Sequence, residues 1–152
     1  MPERAVVDAS VALKWQFEDE PDTKAALALL LDYRSGAAQL AAPSLFSYEI
    51  TNAIAVAVRR QRLAQEEAEE TVGDLLAIGV ELVDFADLAI PTYRLAQKYN
   101  RSVYDSAYMA LAEKRTCAFY TGDLRLFNAV SAHLSFVRWI GDYGREEEEA
   151  PR

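Results

Sequence analysis

The sequence predicts an α/β domain built around a mostly parallel sheet. Short apolar segments alternate along the chain with longer segments in which apolar residues recur at helical spacing. Strands that alternate with helices are typical of a parallel sheet. The chain has 152 residues, which predicts one domain because domains commonly have about 100–200 residues. We assign residues 1–142 to this domain and residues 143–152 to an acidic tail that we expect to be disordered.

The first half of the chain begins with the apolar segment Ala5–Val7, which predicts a buried strand. A helical pattern follows it to Phe17 and stops at the polar segment 18–22. The remaining predicted elements of this half are a helix over 23–34, a strand over 39–42 ended by Pro43, and a long helix over 45–63 with Ser44 as its N-cap.

The second half continues the alternation of helices and strands. Gly79 ends a Glu-rich helical pattern, and the short alternating pattern that follows predicts a strand. The predicted elements are a helix over 65–78, a strand over 81–85, helices over 88–99 and 103–114, a strand over 118–121, a short helix to about 129, and a strand over 135–139.

The composition excludes several classes of protein. Hydrophobic residues make up 51% and charged residues 26% of the chain, which is ordinary for a soluble globular protein. No apolar stretch approaches the roughly 20 residues that a membrane span needs. The first ten residues lack the pattern of a secretory signal, so we expect a cytoplasmic protein. The chain has one cysteine, Cys117, and one histidine, His133, which excludes an internal disulfide and His-pair metal motifs.

The charge balance is acidic, with a net charge of −8 from 24 acidic and 16 basic residues. An acidic chain is not expected to coat nucleic acid broadly, because such coating needs a basic surface. A local nucleic-acid site remains compatible with this balance. Because the chain has only one cysteine and one histidine, any chemistry must depend on carboxylates, hydroxyls and bound ions.

Two carboxylates follow predicted strands directly. Asp8 comes after Ala5–Val7, and Asp123 comes shortly after the strand over 118–121. Ligands of open parallel sheets bind beyond the carboxyl ends of the strands. Helix capping is the alternative for each residue, since Asp is a favoured N-cap and both precede a helix.

Glu49 lies on the apolar face of the predicted helix over 45–63. At about 100° per residue, it falls between Val56 and Ala53 in an arc of apolar residues. A carboxylate that faces the core costs desolvation energy unless it is paired or coordinates a metal. A salt bridge to a buried Arg or Lys is the structural alternative.

Asp105 is the fourth candidate acid. Together with Ser102 it fits the Ser-x-x-Asp capping-box pattern, which is its structural alternative. Asp105 becomes a functional candidate as part of a set, because four carboxylates in one cleft repel each other and raise their own pKa values. A divalent cation relieves this repulsion, and oxygen ligands suit Mg²⁺ or Mn²⁺.

Four segments in this order resemble the PIN-domain ribonucleases, and their spacing is most similar to the VapC-type toxins of toxin–antitoxin pairs. The similarity spans about residues 4 to 140. The segments are Val6-Val-Asp8-Ala-Ser10, Pro43-Ser-Leu-Phe-Ser-Tyr-Glu49-Ile-Thr-Asn52, Tyr104-Asp105-Ser-Ala-Tyr108 and Tyr120-Thr-Gly-Asp123-Leu-Arg-Leu126.

The resemblance implies an α/β/α sandwich, an Mg²⁺ or Mn²⁺ site and an RNA substrate. It also implies a cognate antitoxin protein and a homodimer as partners. The metal-binding and catalytic acids would be Asp8, Glu49, Asp105 and Asp123. The supporting residues would be Ser10, Asn52 and Thr121.

RNA that reaches an acidic pocket needs local cations at the rim. Arg125 follows Asp123 closely and is our candidate for a phosphate contact. Further cations lie at 59, 60, 62, 98 and 101. Tyr104, Tyr108 and Trp15 are candidates for base stacking, although such residues more often lie in the core or at its rim.

Two other functions remain open from the sequence. A Mg²⁺-dependent phosphatase also carries an acid after its first strand, but commonly has a second acid two residues later, where this chain has Ser10. A catalytically idle interaction domain would use the acids only as helix caps. For the antitoxin that the resemblance implies, the Ala-rich helices over 23–34 and 44–63 offer apolar grooves to a partner helix, and ordinary core packing is their structural alternative.

Overall fold

The backbone follows the predicted alternation of strands and helices. The structure is a computed structural model, and it describes residues 1–145. Residues 146–152, which are most of the predicted tail, lie outside the described residues. The elements are β1 (Glu3–Val7), α1 (Ala9–Gln16), α2 (Thr23–Ser35), β2 (Ala38–Pro43), α3 (Leu45–Arg59), α4 (Gln65–Ala77), β3 (Glu81–Val83), α5 (Ala89–Tyr99), α6 (Val103–Arg115), β4 (Ala118–Thr121), α7 (Leu124–Val130) and β5 (Val137–Trp139).

The five strands form one parallel sheet in the order β3-β2-β1-β4-β5. The chain moves outward in one direction from β1 to β3 and then crosses back to β4. The order therefore reverses between β1 and β4, where Ala5 pairs with Ala118 and Val7 with Tyr120. In open α/β sheets the crevice at such a reversal is the usual ligand site.

Helices cover both faces of the sheet, as the predicted sandwich requires. Neighbouring residues of a strand point to opposite faces. Phe119 of β4 stacks on Tyr108 of α6, whereas Tyr120 meets Tyr143, whose hydroxyl donates to Asp32 of α2. Accordingly, α6 covers one face and α2 the other.

Some predicted boundaries move in the structure, and one predicted cap does not form. The helix predicted to Leu63 ends at Arg59, because Gln61 adopts a left-handed backbone with φ of 61°. The strand predicted to Phe85 ends at Val83, because Asp84 caps a short 3₁₀ helix over Phe85–Leu88. Ser44 precedes α3 as predicted, but its own backbone is helical and its hydroxyl makes no capping bond.

The core lies where β1 and β4 meet α6. Val6, Val7 and Phe119 are fully buried, as are Met109 and Leu111 of α6. An apolar run without alternation is typical of a parallel strand that is covered on both faces. In the part of the chain that the structure describes, no helix is both long and apolar enough to cross a membrane.

Candidate active site

Asp8 lies at the carboxyl end of β1 and is buried. Its Oδ1 accepts hydrogen bonds from the Ser10 hydroxyl and, at 3.3 Å, from the Val11 amide, and its Oδ2 accepts from the Thr121 hydroxyl at 2.6 Å. The bond from Val11 is the predicted helix cap, so Asp8 caps α1. Burial raises the pKa of Asp8 to about 6, although these hydrogen bonds lower it, and the nearby Glu49 carboxylate adds to the rise.

The turn after β4 is tied to Asp8 through two hydroxyls. The Thr121 hydroxyl that donates to Asp8 also accepts from the Asp123 amide at 3.0 Å. The Ser10 hydroxyl accepts from the Gly122 amide at 2.7 Å. Asp123 caps α7, because its Oδ1 accepts from the Arg125 and Leu126 amides. These bonds hold the ends of β1 and β4, and the acid at each, in a fixed relation.

Glu49 projects from the first half of α3 and is half-buried. Its Oε1 accepts a hydrogen bond from the Tyr108 hydroxyl. Within residues 1–145 no Lys or Arg forms an ion pair with Glu49, which removes the salt-bridge alternative there. Burial raises the pKa of Glu49, the Tyr108 bond lowers it, and the Asp105 carboxylate raises it further.

Asp105 lies in the first turn of α6, where the Ser102 hydroxyl accepts from its amide as the capping pattern predicted. The Asp105 carboxylate also pairs with Arg101 at 3.4 Å. Burial raises the pKa of Asp105, and the Asp123 carboxylate raises it further, against the lowering effect of Arg101. The Asp105 carboxylate is thus electrostatically coupled to Asp123, the N-cap of α7.

The four predicted acids form a chain of electrostatic neighbours. Asp8 is coupled to Glu49, Glu49 to Asp105, and Asp105 to Asp123. Among residues 1–145, however, no three His, Cys, Asp or Glu side chains form a ready-made metal cage. Mg²⁺ does not require one, because it keeps several waters and commonly takes only one or two carboxylates. The donor set of carboxylate oxygens therefore fits a hydrated divalent cation.

The other predicted residues divide into two groups. Ser10 and Thr121 contact Asp8 directly. Asn52 is exposed and lines a shallow groove on the outer surface of α3 with Tyr48 and Ala55. Arg125 is exposed, and its guanidinium has no hydrogen-bond or ion-pair partner among the described residues.

Two of the candidate rim cations are already engaged. Arg62 pairs with Asp19 and Glu20 and lies over the Phe17 ring at 4.7 Å. Arg101 pairs with Asp105, as described above. Arg125 lies two residues after Asp123 and has no competing partner among the described residues.

Of the three residues that the sequence offered for base stacking, two are buried or engaged. Tyr108 is 2% exposed and bonds Glu49, and the indole of Trp15 donates to the Ala26 carbonyl at 2.9 Å. Tyr104 is 63% exposed beside Asp105. The spacing of Tyr108, one helical turn after Asp105, was the signal that both lie on one face of α6.

Lys14 was not singled out from the sequence, yet it is buried next to the acidic site. Its ammonium donates to the Pro21 carbonyl at 2.9 Å. A Cβ at Gly122 would lie 2.5 Å from the Lys14 Cε, so the Lys14 side chain packs against the bare Gly122 backbone. Its position three residues after the buried Val11, on the same helical face, is the signal that predicts its burial.

The chain is similar in sequence and in fold to several known proteins. The family model described as PIN domain matches residues 5–132. Ribonuclease VapC3 of Pyrobaculum aerophilum is 31% identical over 113 residues, which cover 73% of this chain and 82% of that protein. The crystal structure of PAE2754 from Pyrobaculum aerophilum has a TM-score of 0.67 to this chain, 21% identity and 92% coverage of both chains. The crystal structure of Mycobacterium tuberculosis VapC20, a sarcin-ricin loop cleaving toxin, has a TM-score of 0.61, 16% identity, and covers 88% of this chain and 98% of its own.

Proposed function

The chain belongs to the PIN-domain family, and from this membership we propose that it is a metal-dependent endoribonuclease, the toxin of a toxin–antitoxin pair. One observation carries the proposal. Carboxylates from four separate segments, Asp8, Glu49, Asp105 and Asp123, are electrostatic neighbours at the crevice where the strand order reverses. Repulsion among these carboxylates destabilises the metal-free site, and a bound divalent cation would neutralise it.

Hydrolysis of a phosphodiester needs an activated water, neutralised phosphoryl charge and a stabilised leaving oxygen, and a bound divalent cation supplies all three. We propose Mg²⁺ or Mn²⁺, because both prefer oxygen ligands. Asp8 and Asp123 would bind the ion directly, and Glu49 and Asp105 directly or through waters. Ser10 and Thr121 hold the Asp8 carboxylate in place.

The RNA would approach over the amino-terminal ends of α6 and α7. Arg125 supplies a free guanidinium for a backbone phosphate close to Asp123. Tyr104 supplies an exposed ring beside Asp105 on which a base can stack. Both contacts are independent of the RNA sequence. They would therefore set the affinity and the position of the bound RNA rather than select the cleavage site.

Exposed apolar residues supply surfaces for the two proposed protein partners. Leu27 and Leu31 lie one turn apart on α2, and both are exposed, which suits a helix of the cognate antitoxin. Ile90 and Tyr93 are exposed on α5 and would contribute to a homodimer. We propose that the protein acts in the cytoplasm, where it would meet an RNA substrate and a cognate antitoxin.

The test of this function is cleavage of a circular, single-stranded RNA by the purified protein. A circle yields a product only if an internal bond is cut, so exonucleases do not score. We expect cleavage with Mg²⁺ or Mn²⁺, none with EDTA, and none by Asp8→Asn with either metal. Cleavage that persists in excess chelator would exclude the metal mechanism. Hydrolysis of a phosphomonoester without RNA cleavage would favour a phosphatase, and neither activity would favour an interaction domain.

A further inference from the structure

Tyr108 connects two of the acid-bearing helices. It lies on α6 one turn after Asp105, is buried, and donates its hydroxyl hydrogen bond to Glu49 Oε1 of α3. The two residues are 59 positions apart in the chain. A buried tyrosine hydroxyl needs an acceptor, and here the acceptor is one of the four acids.

The ring of Tyr108 is held by the core. It stacks on Phe119 of β4, with ring centroids 5.6 Å apart and ring planes 13° from parallel. Phe119 is fully buried and lies two residues before Thr121, which bonds Asp8. The hydroxyl position is therefore set by packing against the same strand that ends at the acidic site.

We infer that Tyr108 is a positioning residue that fixes the Glu49 carboxylate for metal binding, an inference that rests on the proposed function. Its hydroxyl occupies Oε1 and leaves Oε2 available to the ion. A free glutamate side chain samples many rotamers, and ordering it costs conformational entropy. The hydrogen bond meets part of that cost before the ion arrives. Substitution of a residue that orients a metal ligand in this way commonly weakens metal binding by about 10- to 100-fold.

The test compares Tyr108→Phe with a matched control, Tyr143→Phe. Each substitution removes one hydroxyl that donates to a carboxylate, because the Tyr143 hydroxyl donates to Asp32. Tyr143 lies near Glu3, which is at the opposite end of β1 from Asp8. Mn²⁺ binding is measured by electron paramagnetic resonance, which needs neither RNA nor turnover. We expect about 10- to 100-fold weaker Mn²⁺ binding in Tyr108→Phe and unchanged binding in Tyr143→Phe.

A double mutant separates positioning from general damage. If Tyr108 acts through Glu49, then Tyr108→Phe should weaken Mn²⁺ binding less than twofold when Glu49 is already replaced by Gln. An equal loss in both backgrounds would overturn the inference, as would a Tyr108→Phe variant that binds Mn²⁺ like the wild type. Failure of the wild type to bind Mn²⁺ would instead overturn the proposed function.

A measurement on the wild type covers the case in which Tyr108→Phe does not fold. The near-ultraviolet tyrosine spectrum is recorded as Mg²⁺ is added, since binding of the ion at Glu49 alters the hydrogen bond of the Tyr108 hydroxyl. We expect a difference band in the wild type and in Tyr143→Phe, and its loss in Glu49→Gln. A band that survives in Glu49→Gln would contradict the inference.

Discussion

The Thr121 hydroxyl donates to Asp8 Oδ2 at 2.6 Å and joins residues 113 positions apart in the chain. The same oxygen accepts from the Asp123 amide at 3.0 Å. One hydroxyl thus links the two acids that follow neighbouring parallel strands. Because Thr121 is fully buried, removing its hydroxyl would leave the Asp8 carboxylate and the Asp123 amide without these hydrogen bonds.

Thr121→Val keeps the side-chain shape and removes both bonds. We expect the free energy of unfolding to fall by about 1–3 kcal/mol, the cost of leaving buried polar groups unpaired. The pKa of Asp8 should also rise, because the Thr121 bond lowers it. The pH at which Mn²⁺ binding is half-maximal should therefore move upward.

Thr71→Val is the matched control, because the Thr71 hydroxyl is also buried and donates within α4 to the Glu67 carbonyl. We expect it to alter stability without moving the pH midpoint of Mn²⁺ binding. The same midpoint in Thr121→Val and the wild type would mean that Thr121 does not act through Asp8.

The raised pKa of Asp8 predicts opposite effects of pH on the metal-free and metal-bound protein. Burial shifts this pKa from 3.8 to about 6, so the folded state binds the proton more tightly than the unfolded chain. For an acid with that shift, the free energy of unfolding falls as pH rises between the two values and then stays level. The full effect is roughly 3 kcal/mol, at about 1.4 kcal/mol per pH unit of difference.

Melting temperatures of the wild type and Asp8→Asn between pH 5 and 7 test this prediction. Without metal, the wild type should become less stable as pH rises, and Asp8→Asn should lose most of that dependence. With Mn²⁺ the stabilisation should grow over the same range, because the ion needs the ionised carboxylate. A metal-free protein that gains stability from pH 5 to 7 would mean that Asp8 is not the controlling group.

Glu49→Gln separates a metal ligand from a structural residue. The amide oxygen of Gln can still accept from the Tyr108 hydroxyl, so packing is retained. Removing the charge relieves repulsion with Asp8 and Asp105. The metal-free stability should therefore stay level or rise, while RNA cleavage is lost and the thermal shift with Mn²⁺ shrinks.

Melting curves with and without Mn²⁺ decide the role of Glu49. A structural ion pair would predict a loss of about 3–5 kcal/mol on substitution. A large loss of metal-free stability together with an intact Mn²⁺ shift would make Glu49 a scaffold residue and remove it from the acidic site.

The fold was predictable because each signal was local. The strand β4 runs from Ala118 to Thr121 as the sequence predicted, because a short apolar segment bounded by turn residues is typical of a buried strand. The predicted end of α3 was wrong. Gln61 adopts a left-handed backbone conformation after the helix, and a glutamine gives no sequence signal for that conformation. Boundaries of this kind depend on tertiary contacts, such as those of Arg62 with Asp19.

The sequence predicted that the four acids lie near one another, but not the contacts that support them. Glu49 stands out as a charge on an apolar helix face, and that pattern is visible in one segment. Its bond with Tyr108 and the packing of Lys14 against Gly122 join segments distant in sequence. Such pairs follow from strand order and helix packing, so no periodicity within one helix reveals them.

Arg125→Ala should weaken RNA binding mainly through loss of a phosphate contact. For single-stranded RNA, the slope of log K against log salt should become less steep by roughly 0.7, the contribution of one phosphate contact. Arg34→Ala is the control, because it removes the same charge from an exposed position far from the acids. Arg34 lies near the end of α2, just before the amino-terminal end of β2, whereas the acids lie beyond the carboxyl ends of the strands. Fluorescence anisotropy with Asp8→Asn as the background measures binding without cleavage. An unchanged slope in the Arg125 variant would remove it from the RNA contacts.

Gly122→Ala and Gly73→Ala form a pair in which the same methyl group should have opposite effects. At Gly122 the new Cβ would lie 2.5 Å from the Lys14 Cε and 3.2 Å from the Ser10 hydroxyl, whereas at Gly73, within α4, it would meet nothing within 4 Å. We expect Gly122→Ala to lower the free energy of unfolding by about 1–3 kcal/mol through overpacking. Gly73→Ala should raise it by about 0.5–1 kcal/mol, because Gly is unfavourable inside a helix.

The clash at Gly122 should also reach the acidic site. Lys14 is buried and tied to Pro21, so it cannot move aside without losing its hydrogen bond. A shift of the Gly122 backbone instead would disturb the Ser10 bond and move Asp123, which follows directly. Mn²⁺ binding should therefore weaken in Gly122→Ala and stay normal in Gly73→Ala. Adding Lys14→Ala removes the obstructing Cε, so the double mutant should be less destabilised than the sum of the single variants. Simple additivity, with normal Mn²⁺ binding throughout, would show that Lys14 and the Gly122 turn are not coupled.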